Sequence, residues 1–112
     1  MKRLVLFASG NGSNVENIIK YFNNKPLIQV VAIFSNNKNA KVLNRVQKYN
    51  IPTVVFDKKE LQNGTVLKQL KSRKLDLIIL AGFLLKIPKK IINIYNNQII
   101  NIHPSLLPLY GG

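Results

Sequence analysis

An asparagine and the chain's single histidine stand two residues apart in the run Asn101-Ile102-His103-Pro104-Ser105-Leu106-Leu107-Pro108. The carboxamide of Asn101 offers a neutral hydrogen-bond donor. The imidazole of His103 offers a proton that is on or off near neutral pH. On a strand, residues i and i+2 point to one face. Such a pair suits acyl transfer, in which a carbonyl oxygen gains charge and a proton must move. The bland alternative is a hydrogen-bonded structural histidine, the usual fate of a lone one. The setting beside Asn101 and before Pro104 favours a functional role.

Two further loops carry residue types suited to ligands. Ala8-Ser9-Gly10-Asn11-Gly12-Ser13-Asn14 joins an apolar run to a helical one. Glycines permit tight turning there, and a helix start aims N–H groups and a positive dipole end at an anion. Ser13 and Asn14 add side-chain donors. Val15 occupies the third glycine position of a dinucleotide fingerprint, and no Gly-Lys-Ser/Thr follows, so a phosphate monoester fits best. Many helices nevertheless begin with Gly, Ser and Asn for capping alone. In Gly82-Phe83-Leu84-Leu85-Lys86-Ile87 apolar residues sit on a loop. They either line a pocket for a flat ligand or pack on the following helix, and composition alone favours packing.

These loops need a scaffold, and the hydrophobic patterning supplies one. Strands are expected at Leu4–Ala8, Ile28–Phe34, Thr53–Phe56, Leu77–Ala81 and Gln98–Ile102. Helices are expected at Ser13–Phe22 with Ile18, Ile19 and Phe22 inward, and at Ala40–Tyr49 with Val42, Leu43 and Val46 inward. Two more are expected at Glu60–Lys74, carrying Leu61, Leu67 and Leu70, and at Pro88–Tyr95 with Pro in the first turn. Alternating strands and helices imply an α/β fold, a Rossmann-like parallel sheet with helices on both faces. Ligands in such sheets bind beyond the carboxyl ends of the strands. The loops 9–14, 82–87 and 103–112 all lie there. The run Leu109-Tyr110-Gly111-Gly112 has no closing element, so the domain is expected to be truncated at its carboxyl end.

Composition narrows the function classes. A length of 112 residues allows one domain. No cysteine is present, so neither a disulfide framework nor a thiolate metal site is available. One histidine with the scattered carboxylates Glu16, Asp57, Glu60 and Asp76 argues against a dedicated metal site. The formal charge of +13 would suit a polyanion. The lysines are scattered, however, and lack the aromatic interleaving of a stacking surface, so no nucleic-acid partner is expected. The apolar stretch after Lys2 and Arg3 is too short for a signal peptide, and no run is long enough to cross a membrane. A cytoplasmic protein without a membrane partner is expected.

Ser9-Gly10-Asn11-Gly12-Ser13-Asn14, then Leu80-Ala81-Gly82-Phe83, then Asn101-Ile102-His103-Pro104-Ser105-Leu106-Leu107-Pro108 resemble, in this order, the motifs of the glycinamide ribonucleotide formyltransferases. The resemblance spans essentially all 112 residues. It implies the formyltransferase fold, with residues 1–112 as an incomplete amino-terminal domain. It also implies transfer of a formyl group from 10-formyltetrahydrofolate to the amine of 5'-phosphoribosylglycinamide, in purine biosynthesis, with no metal. Gly12, Ser13 and Asn14 would hold the phosphate. Leu84, Leu85, Lys86 and Ile87 would cradle the folate, largely by backbone. Lys59 stands where the family commonly has an arginine near the folate. Asn101 would contact the formyl group, and His103 would donate the proton.

The chain departs from the family in two respects. The family's catalytic aspartate has no counterpart among the four acidic residues, which leaves open that the 112-residue piece is inactive by itself. Leu109 stands where the family often has a basic residue, and Leu85-Lys86 differs from the family's common Arg-bearing loop, which affects fine contacts and not the class. Rival readings are a formyltransferase acting on initiator methionyl-tRNA and a non-catalytic phosphate- or folate-binding module.

Overall fold

A computed structural model describes residues 1–102. Five parallel strands form one sheet: β1 (Lys2–Ala8), β2 (Ile28–Ser35), β3 (Thr53–Val55), β4 (Leu77–Ala81) and β5 (Ile99–Ile102). Their spatial order is β3-β2-β1-β4-β5. The first three strands are laid down in one direction, and the chain then crosses β1 to place β4 and β5 on the other side. The order therefore reverses between β1 and β4, which is where open parallel sheets bind ligands.

The period-2 alternation of β1 builds two cores. Leu4, Leu6 and Ala8 face α1 (Ser13–Phe22) and α2 (Lys41–Arg45), where they meet Val15, Ile18, Ile19, Val42 and Val46. Val5 and Phe7 face the opposite layer, α3 (Lys58–Gln62), α4 (Thr65–Lys71) and α5 (Lys89–Ile94), where Leu61, Val66, Leu70 and Ile91 are buried. Helices thus cover both faces, as the alternating pattern predicts. Each fully buried aliphatic or aromatic side chain contributes on the order of 1.5–3 kcal/mol, so the two layers carry the stability of the sheet. Phe7 stacks on Phe34 at 5.1 Å between ring centroids and anchors the second layer.

Three expectations need correction. The helix expected over Glu60–Lys74 is two helices that meet at Gly64, whose φ of +96° cannot continue a helix. The first of them begins earlier, at Lys58. Asp57 accepts from the Glu60 N–H at 2.7 Å and Glu60 caps the Asp57 N–H in return at 3.0 Å. The helix expected over Ala40–Tyr49 ends at Arg45, and a 3₁₀ turn at Gln47–Tyr49 follows, closed by Asn50 at φ +57°. Pro88 lies just before α5 in an extended conformation, not within its first turn.

Candidate functional site

The loop after β1 is held from two sides. Val42 N–H, in the first turn of α2, donates to the Gly10 carbonyl at 3.2 Å. Gly12 takes φ +81° and packs so closely on Val42 that a Cβ there would meet Val42 Cγ2 at 2.5 Å. Gly12 is therefore required twice, by its backbone conformation and by the closeness of α2. Its carbonyl accepts from Glu16 N–H at 2.8 Å and starts α1. Ser13 N–H donates to Asn11 Oδ1 at 3.0 Å. The sheet thus brings Gly12, Ser13 and Asn14 together at the positive end of a ten-residue helix, at the carboxyl edge.

The loop after β4 lies beside it. Ser9 N–H donates to the Gly82 carbonyl at 3.2 Å, and Leu84 N–H donates to Ser9 Oγ at 3.0 Å. Phe83 turns inward, with its ring edge on Phe7 at 5.1 Å and near Phe56 at 6.0 Å. Ile87 is buried and Leu85 half-buried against the same layer, so these residues pack as composition suggested. Leu84 does not. The residue is 83% exposed while its backbone N–H is tied to Ser9, which leaves an apolar surface at the rim of the site. Lys86 is exposed.

Asn101 completes the edge. It pairs in register with Leu80 near the end of β4, one strand beyond the switch point, and its side chain is exposed. By strand alternation it shares a face with Ile99. His103 and the rest of the expected loop 103–112 lie outside the described residues. Lys59 does not join the other candidates. It is exposed in the first turn of α3, beside a shallow cavity lined by Lys58, Gln62 and Asn63, none of them in the 84–87 loop.

Glu16 was missed as part of this region. It is 7% exposed and bridges α1 to the α2 layer, accepting from Lys48 Nζ at 2.7 Å, Tyr49 hydroxyl at 2.8 Å and Arg45 Nη1 at 3.1 Å. The hydrogen bond from Lys48, and then that from Tyr49, lower its pKa from 4.5 to about 2. These cations also neutralise a carboxylate that would otherwise oppose an anion at the start of α1. A carboxylate on the inward face of an amphipathic helix, among Val15, Ile18 and Ile19, was the available signal.

Among the described residues, no three His, Cys, Asp or Glu side chains cluster to hold a metal ion, and no helix is long and apolar enough to cross a membrane. A cavity of about 610 Å³ lies at the other end of the sheet, lined by Arg3, Ile19, Phe22, Lys48, Tyr49 and Pro52 among others.

A family profile described as formyl transferase matches residues 2–112. The phosphoribosylglycinamide formyltransferase of Bacillus subtilis is 36% identical over the whole of this chain and 60% of its own length. That of Escherichia coli is 35% identical over 97% of this chain and 54% of its own. The crystal structure of the phosphoribosylglycinamide formyltransferase from Anaplasma phagocytophilum superposes with a TM-score of 0.84 at 38% identity, over 96% of this chain and 52% of that one. The chain thus spans a little over half the length of these relatives.

Proposed function

The chain belongs to the formyl transferase family, and on that premise we propose that the protein transfers a formyl group from 10-formyltetrahydrofolate to the amine of 5'-phosphoribosylglycinamide. The observation that supports this most is the adjacency of a phosphate-type loop at Gly12, Ser13 and Asn14 to the Leu84 loop across the β1–β4 switch point. An anionic ribonucleotide suits the first and a flat, partly apolar folate suits the exposed Leu84 of the second. The names of the relatives point the same way. In this reading residues 1–112 are one unit, corresponding to the amino-terminal portion of a formyltransferase domain. The protein works in the cytoplasm in purine biosynthesis.

The phosphate binds at the start of α1, through backbone N–H groups and the Ser13 and Asn14 side chains. The folate lies along Leu84 to Ile87. The substrate amine adds to the formyl carbon, and the carbonyl oxygen takes up negative charge. The Asn101 carboxamide and the protonated His103 imidazole stabilise that oxygen, at roughly 3–4 kcal/mol per well-placed donor. The amine proton passes by way of His103 to the departing folate nitrogen, releasing tetrahydrofolate and the formamide. No covalent enzyme intermediate and no metal enter these steps.

The test is turnover by the full-length protein with 10-formyltetrahydrofolate. Tetrahydrofolate release dependent on phosphoribosylglycinamide is expected. No turnover with that substrate, but formylation of methionyl-tRNA, would overturn the assignment in favour of the tRNA-directed class.

A further inference from the structure

We propose that Ser9 is a positioning residue whose hydroxyl couples the two substrate loops. Ser9 directly follows β1, two residues before Asn11, and is only 6% exposed. A serine hydroxyl has one proton to give and two lone pairs to receive. Ser9 Oγ donates to Asn36 Oδ1, in the loop after β2, at 2.5 Å. The same oxygen accepts from Leu84 N–H at 3.0 Å, and the Ser9 N–H donates to the Gly82 carbonyl at 3.2 Å. One residue therefore ties together the loops that follow β1, β2 and β4.

This geometry has a consequence for binding. Gly10, directly after Ser9, is fixed through its carbonyl to α2, so the phosphate loop and Ser9 move as a piece. Leu84 has its backbone held by Ser9 while its side chain projects outward. A ligand that settles on the 12–14 turn fixes Ser9, and a fixed Ser9 holds the Leu84 backbone in place for the second ligand. The ordering is then done once for both ligands, and by linkage each raises the affinity of the other by the same factor. Ser9 touches neither ligand in this account.

The role rests on the reading that these loops hold a ribonucleotide and a folate, and the test separates the two. The full-length protein is titrated calorimetrically with phosphoribosylglycinamide and with tetrahydrofolate, each alone and each in the presence of the other. Tetrahydrofolate carries no formyl group, so nothing turns over. The wild type should bind each ligand about 5-fold or more tightly when the other is present, the lower end of ordinary couplings. Ser9→Ala removes both hydroxyl hydrogen bonds and should bring that factor to about 1, with each ligand still bound singly. A purely structural role would lower the melting temperature and leave the factor unchanged. If Ser9→Ala does not fold, Ser9→Cys, which keeps the shape and weakens the donor, is read in the same way. Binding of both ligands with no coupling in the wild type, or equal coupling in wild type and variants, would overturn the role of Ser9 alone. Failure of the wild type to bind either ligand would overturn the functional reading and this inference with it.

Discussion

Gly12 lies against Val42 so tightly that an added Cβ would stand 2.6 Å from Val42 Cβ and 2.7 Å from its Cα. The neighbour includes backbone, so it cannot swing aside as a flexible side-chain tip would. Helix α2 therefore shapes the turn that opens α1, through a contact with a distant part of the chain.

Gly12→Ala combines a left-handed backbone, worth about 1–2 kcal/mol, with overpacking, worth about 1–3 kcal/mol. Gly64→Ala has φ +96° but nothing within 4 Å of the new Cβ. It should show the backbone cost alone. Urea denaturation of both variants should rank Gly12→Ala clearly below Gly64→Ala, and only Gly12→Ala should weaken phosphoribosylglycinamide binding.

Glu16 makes stability depend on pH. Its carboxyl binds a proton less readily folded than unfolded, so its contribution is complete above pH 4.5 and is lost as pH falls toward about 2. Glu16→Gln removes that contribution. The variant should be less stable than wild type near neutral pH, and the gap should close between pH 4.5 and about 2. Paired urea titrations across that range check it. A gap that is constant with pH would mean that the three donors do not discriminate the charged carboxylate.

Asn101→Ala should lower kcat of the full-length protein by roughly 10²–10³, the usual cost of one oxyanion donor. The side chain is exposed on β5, so the melting temperature should stay close to that of wild type. A loss confined to KM would assign Asn101 to binding alone.

Leu84→Ala tests the rim of the β4 loop. The side chain contributes little to the core, so stability should hold. If it covers the folate, loss of its three outer carbons at about 0.8 kcal/mol each should raise the folate KM by up to roughly 50-fold. The KM for phosphoribosylglycinamide should move far less.

The sheet was legible because its strands are short apolar runs and β1 alternates between two cores. Helix α1 was legible to the residue, since Gly12 sets its start and the run Val15, Ile18, Ile19 sets its face. The break at Gly64 was not, because Leu61, Leu67 and Leu70 look continuous when only apolar residues are counted. The Asn63-Gly64 pair and the Asp57/Glu60 capping box were the local signals that outweigh that pattern. The strand-end positions of the loops 9–14 and 82–87 were legible, because they follow from the alternation of strands and helices. The Ser9 latch and the Glu16 bridge were not legible. Each joins residues at least 27 positions apart, and no periodicity reports such a contact.

The central claim is that the turn at the start of α1 receives the ribonucleotide phosphate, and amide NMR of the full-length protein tests it most directly. Titration with phosphoribosylglycinamide should shift the Gly12, Ser13 and Asn14 amides first and most. Saturable shifts centred instead on Lys48, Tyr49 and Ile51, at the cavity beyond the amino ends of the strands, would contradict it, as would a spectrum that does not move at all.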